Sequence, residues 1–88
     1  MGHAPVTLYT SAWCGYCMRA KALLDGRGIA YREIDVDGDP AHRREMIARS
    51  GRRTVPQVFI GEHHVGGSDD LAAAATSGEL DRLLGAGA

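Results

Sequence analysis

Cys14-Gly15-Tyr16-Cys17 constrains this chain more than any other run. It follows a short β-like stretch, Val6-Thr7-Leu8-Tyr9-Thr10, and opens a helix-like one from Met18 to Asp25. These are the only two cysteines in the chain. A helix N-terminus carries unpaired backbone N–H groups and roughly half a positive charge, which favours a thiolate over a thiol. Cys17, three residues on, projects from the same side of the first turn and can reach Cys14 to close a disulfide. The pattern reads as thiol–disulfide exchange, with Cys14 attacking and Cys17 resolving.

The 88 residues suffice for one small domain spanning 1–88, with Gly85-Ala86-Gly87-Ala88 as a flexible tail over 85–88. Val6–Thr10 reads as a buried strand. The helix from Cys14 to about Gly28 groups Cys17, Ala20, Leu23 and Leu24 on one face, so Cys17 turns inward and Cys14 stays at the exposed tip. Ala30–Val36 alternates and reads as a second strand. Asp39-Pro40 combines an N-cap residue with proline at the first helical position, and that helix should stop at Gly51. Gln57–Ile60 and His63–Val65 flank a two-residue turn and form a hairpin. Ser68-Asp69-Asp70 caps a helix through Thr76, and a short turn or helix follows from Glu79 to Leu84. The order β-α-β-α-β-β-α makes an α/β fold, with a parallel first βαβ unit and a hairpin completing a four-stranded mixed sheet flanked by helices.

Charge excludes little and points nowhere global. Ten Lys and Arg against eleven Asp and Glu give no reason to expect nucleic acid or an anionic membrane as partner. The acidic stretch Glu33, Asp35, Asp37, Asp39 and the arginines after it read mostly as solvated faces. No run is long enough to span a bilayer, and the N-terminus lacks a secretory pattern. Two cysteines are too few for a secreted disulfide scaffold, so a reducing cytoplasm is the expected compartment.

Two further runs carry chemistry. Pro56 in Thr54-Val55-Pro56 cannot donate to a sheet ladder, which frees the preceding backbone to bind something else. With a cis bond, Val55 would offer its N–H and C=O as an edge for an extended, peptide-like ligand. In Gly66-Gly67-Ser68-Asp69-Asp70, the glycines allow close approach and the helix N-terminus offers N–H groups to a carboxylate. Asp69 can accept from an ammonium group, so this end suits the α-carbon of an amino acid. A zinc site built from Cys14, Cys17, His63 and His64 is the competing reading of the cysteines. Adjacent histidines on a strand point to opposite faces and do not readily chelate one ion, so the main reading contains no metal.

Together these runs resemble the glutaredoxin family, in its dithiol form, over nearly the whole chain. The matching stretches are Leu8-Tyr9-Thr10, Cys14 to Cys17 followed by Arg19-Ala20-Lys21-Ala22-Leu23-Leu24, and Arg44-Glu45-Met46-Ile47 through Gly51. Arg53-Thr54-Val55-Pro56-Gln57-Val58-Phe59-Ile60 and Gly66-Gly67-Ser68-Asp69-Asp70-Leu71 complete the match. The resemblance implies a thioredoxin-like fold and a monomeric enzyme that uses glutathione as co-substrate to reduce protein disulfides and glutathionylated proteins. It implies Cys14 as nucleophile and Cys17 as resolving thiol. Tyr16 would line the glutathione groove, Thr54 and Val55 would bind the cysteinyl backbone beside Pro56, and Gly67, Ser68 and Asp69 would hold the γ-glutamyl end. Arg43 would face the glycine carboxylate, with Arg53 adding positive potential.

The chain departs from the dithiol pattern twice. Gly15 stands where proline usually follows the first cysteine, and Ser11 stands where a lysine is usual. Trp13-Cys14-Gly15 also resembles the start of the thioredoxin motif, against which Tyr16 and the Gly66–Asp70 run argue, and Trp13 to Cys17 resembles mycoredoxins. The alternative of another class is a [2Fe–2S] cluster bridging a homodimer, with Cys14 and glutathione thiols as ligands.

Overall fold

The computed structural model describes residues 3–85. The tail expected over 85–88 lies, beyond Gly85, outside them. The elements are β1 (Val6–Thr10), α1 (Gly15–Gly26), β2 (Arg32–Asp35), α2 (Pro40–Ser50), β3 (Gln57–Ile60), β4 (His63–Gly66), α3 (Ser68–Ser77) and α4 (Glu79–Leu84). The sheet order is β2-β1-β3-β4. β1 pairs parallel with β2, in register Thr7 opposite Arg32, and antiparallel with β3. The expected mixed sheet is present, with β2 shorter at both ends than Ala30–Val36.

Period-2 alternation divides the core between the two faces of the sheet. Val6, Leu8, Val58 and Ile60 pack with Ala20 and Leu24 of α1, Leu71 and Ala74 of α3, and Leu80 and Leu84 of α4. Tyr9 and Phe59 point the other way, to Ile34, Val36 and Met46 of α2. Tyr9 is fully buried, yet its hydroxyl is satisfied: it donates to the Glu45 carboxylate and accepts from Arg49 Nη1 at 3.0 Å. This matters because a buried hydroxyl without partners costs about 1–3 kcal/mol.

Local chemistry sets the helix ends. Asp39 Oδ1 accepts from Ala41 N–H at 2.9 Å and Pro40 occupies the first turn, as the sequence requires. Gly51 closes α2 in the left-handed conformation with φ 71°. The start of α3 differs from expectation. The N-cap is Gly67, Ser68 is the first helical residue, and Asp70 Oδ2 reaches back to accept the Gly67 N–H at 2.9 Å. β4 also differs: Val58 lies opposite Gly66 but Phe59 opposite His64, so Val65 is an extra residue in a bulge. The bulge turns the chain into Gly66-Gly67 and hence into α3.

Candidate active site

Cys14 is the N-cap of α1, in extended conformation with φ −105° and ψ 110°. Its Sγ accepts from the Cys17 N–H at 3.1 Å and lies 3.8 Å from the Val55 carbonyl. The side chain is half-buried, so the sulfur combines a helix N-terminus with access from outside. Cys17 is 1 % exposed, packed on the core side of α1. Both thiols are free. Burial, followed by the hydrogen bond with Cys14, pushes the Cys17 thiol up to about 12. The Ser11 N–H and the Lys21 ammonium pull the other way and lose. One thiol is built to meet a partner and the other to stay protonated. The residue before them, Trp13, has a left-handed backbone, φ 62°, and a fully exposed indole.

A groove of about 300 Å³ lies beside this turn. One wall is Thr54, Val55, Pro56 and Gln57; the other is Gly67 to Asp70 at the start of α3; Tyr16 and Arg52 complete it. The Val55–Pro56 bond is cis. The Val55 N–H donates to no other described residue, and Asp69 makes no hydrogen bond or ion pair among them. Two polar groups on facing walls are therefore open to a ligand. Asp70 is committed instead: the Gly67 N–H and then Arg52, at 3.2 Å, hold its carboxyl below the usual carboxylate range. Gly66 admits that carboxylate, since a Cβ there would meet Asp70 Oδ2 at 2.3 Å.

Seven of the residues singled out in the sequence converge here: Tyr16, Thr54, Val55, Pro56, Gly67, Ser68 and Asp69 all line the groove. Arg43 does not. It lies on α2, where Nη2 pairs with Asp37 Oδ1 at 2.9 Å and borders a separate depression with Val36, Pro40 and Ile47. Ser11 donates its hydroxyl to the same Asp37 carboxylate, and Ser11 and then Arg43 lower its pKa. Arg52, rather than Arg53, lines the groove. Gln57 and Arg52 escaped the sequence reading, although both abut the Thr54-Val55-Pro56 run. His63 is exposed while His64 turns inward, stacked on Phe59 at 4.8 Å between ring centres. Among the described residues no three His, Cys, Asp or Glu side chains gather to hold a metal ion.

The family model Glutaredoxin matches residues 6–65. The chain belongs to the glutaredoxin family. It is 54 % identical over 82 residues to a glutaredoxin of Pseudomonas aeruginosa, covering 93 % of this chain and 98 % of that one. It is 54 % identical over 81 residues to glutaredoxin 3 of Escherichia coli K12, covering 92 % and 98 %. A buckwheat glutaredoxin–glutathione complex superposes with a TM-score of 0.83 at 36 % identity, over 92 % of this chain and 76 % of that one. The fold is thioredoxin-like, and family membership together with the Cys14–Cys17 pair makes this a thiol–disulfide oxidoreductase. None of its described helices is long and apolar enough to cross a membrane.

Proposed function

We propose that this glutaredoxin reduces glutathionylated proteins and protein disulfides with glutathione as co-substrate, acting as a monomer in the cytoplasm. The observation that carries the reading is continuity. The reactive sulfur lies 3.8 Å from the Val55 carbonyl at one wall of the groove, and Asp69 at the α3 N-terminus is unpaired among the described residues on the other. A γ-glutamyl tripeptide has the matching groups: a sulfur, a peptide backbone and an α-carbon bearing both ammonium and carboxylate. Val55 would pair with the cysteinyl backbone beside Pro56 and Thr54. Ser68 N–H and the Gly67 turn would take the α-carboxylate, Asp69 would accept from the ammonium, and Tyr16 would cover the ligand. That the buckwheat relative was solved with glutathione supports the same reading.

In the reaction the Cys14 thiolate attacks the glutathione sulfur of a mixed disulfide. The S–S bond breaks, the protein thiolate leaves and takes up a proton, and a Cys14–glutathione disulfide remains. A second glutathione thiolate then attacks the glutathione sulfur of that adduct, releasing Cys14 and oxidised glutathione. Cys17 can instead attack Cys14 and expel glutathione, but its burial disfavours the thiolate. The external thiol is therefore the main route for this substrate, with Cys17 serving protein disulfides. Arg43 would meet the glycine carboxylate only in competition with Asp37, which already holds it at 2.9 Å. The test is turnover of a glutathionylated peptide: glutathione should support it, and thioredoxin reductase with NADPH should not replace glutathione.

One observation favours a second property. Among the described residues nothing lies within 4 Å of the position a Cβ at Gly15 would take, so the surface on the Gly15 side of Cys14 is open. A second copy could approach there and share a [2Fe–2S] cluster, with Cys14 of each copy and two glutathione thiols as ligands, since one chain offers too few thiolates. Anaerobic reconstitution with iron, sulfide and glutathione should then yield a coloured dimer. A colourless monomer would remove this reading and leave the oxidoreductase.

A further inference from the structure

Gln57 is almost completely buried at 1 % exposure, yet it borders the groove. A buried amide must satisfy both its donor and its acceptor ends. Its Nε2 donates to the Thr54 carbonyl at 3.0 Å and lies 3.3 Å from the Thr54 hydroxyl. A carbonyl can only accept, so the amide orientation is determined: NH2 towards Thr54, Oε1 away from it. Oε1 in turn lies 2.6 Å from His64 Nε2. Because Oε1 also can only accept, the proton must be on His64 Nε2. The direction of every bond in the chain His64–Gln57–Thr54 follows from these two constraints.

The ends of this chain are unlike. His64 is immobilised by stacking on Phe59, whose ring is itself covered by the Arg49 guanidinium 4.1 Å from its centre. Thr54, by contrast, is exposed and lies in an irregular segment between α2 and β3. Among the described residues the Thr54 carbonyl accepts from Gln57 alone. Val55 packs against the Tyr9 and Phe59 cluster and Gln57 stands in the β3 ladder, but Thr54, the exposed end of this wall, is tied to the core through this one amide, and that amide is oriented by one imidazole. We propose that His64 is a positioning residue for the reaction, holding Thr54 and Val55 at the height where their backbone meets a glutathione moiety bound at Cys14. His64 touches no ligand itself. This inference rests on the glutathione reading above and adds a residue outside the groove to it.

Two substitutions separate the N–H from the ring. His64→Phe keeps an aromatic ring against Phe59 but leaves Gln57 Oε1 unpaired; His64→Gln restores an N–H donor of similar reach. With a glutathionylated peptide as substrate, His64→Phe should raise KM roughly five- to tenfold, the scale for an unpaired buried acceptor, with kcat within about twofold. His64→Gln should return KM to within about twofold of wild type. Wild-type KM in His64→Phe overturns the proposal, and so does equal impairment of both variants, which would mean that ring packing alone matters. Should either variant fail to fold, nitrogen-15 NMR of the wild-type His64 ring decides: a proton on Nε2 is expected, and a neutral ring protonated only on Nδ1 overturns the relay. That measurement needs no substrate, so it stands even if wild-type protein turns over no glutathionylated peptide, the result that would sink the glutathione reading.

Discussion

The N-termini of α1 and α3 both open onto the groove, and they are finished in opposite ways. At α1 the first turn holds no acidic residue, and the cap is a sulfur that accepts the Cys17 N–H. At α3 the cap is a glycine, and the first turn brings two carboxylates of its own, Asp69 and Asp70. Asp70 is spent on the Gly67 N–H and on Arg52; Asp69 is not spent on anything described. The same backbone dipole therefore does two jobs. At α1 it has only the reacting sulfur to stabilise. At α3 part of it is neutralised internally, which in the proposed function suits the remaining site to a zwitterion rather than any anion.

The harshest test of the contrast is Cys14→Ser, which should reduce turnover of a glutathionylated peptide to background, because a hydroxyl does not ionise enough to attack. Cys17→Ser should retain much of that turnover. Equal and complete loss in both would assign resolution to Cys17 and undo the division of labour within the first turn of α1.

Cys17 also predicts a pH effect. In the unfolded chain it ionises near the ordinary thiol value of about 8.5, but in the fold only near about 12. Above the first value the unfolded state loses a proton that the folded state keeps. Stability of the reduced protein should thus be intact below about pH 8.5 and fall as pH rises towards the folded value, by at most about 1.4 kcal/mol per unit. Urea unfolding at about pH 8 and pH 10 should show this slope in wild type and a shallower one in Cys17→Ala. Equal slopes would mean that the thiol is hydrated in the folded protein.

At α3 the two carboxylates should separate cleanly. Asp69→Ala should raise KM for the glutathionylated peptide roughly tenfold, within the range for a charged partner left unpaired, while leaving urea stability unchanged. Asp70→Ala should instead cost about 1 kcal/mol of stability through the lost back-bond to Gly67. The reverse pattern would exchange their roles. The smallest effect belongs to α1. Gly15 is its first helical residue, its surroundings are open, and Cys14 already has the extended backbone that a following proline demands. Gly15→Pro should stabilise the protein by roughly 0.4–1 kcal/mol, measured by thermal unfolding. Destabilisation would show that this turn must flex.

What could be read from the sequence was what depends on neighbours along the chain. Asp39-Pro40, Gly51 and the Cys14–Cys17 spacing act within one helical turn, and each element they start or stop stands where expected. Asp37 shows the limit. As a member of an acidic run it read as solvent-facing, and it is exposed, but its pairing with Ser11, from another part of the chain, and with Arg43 on α2 shows only in the folded protein. Arg52 and Arg53 are chemically alike, and only the loop geometry selects the first for the groove. Val65 looked like a regular strand residue, because a bulge is visible only when the opposite strand is in place. Gly66 read as freedom of approach for a ligand; the structure uses it to seat Asp70.

Trp13 gives the molecule an optical property. The chain has a single tryptophan, and it stands fully exposed immediately before the reactive sulfur. Its emission in the folded protein therefore comes from a water-bathed indole at one known point, with no second fluorophore of its kind to dilute the signal. Burying that indole under an arriving protein should shift the spectrum to shorter wavelength, while unfolding should move it little because it is already wet. Intrinsic fluorescence is thus a poor gauge of stability here and a direct gauge of contact at the reactive end.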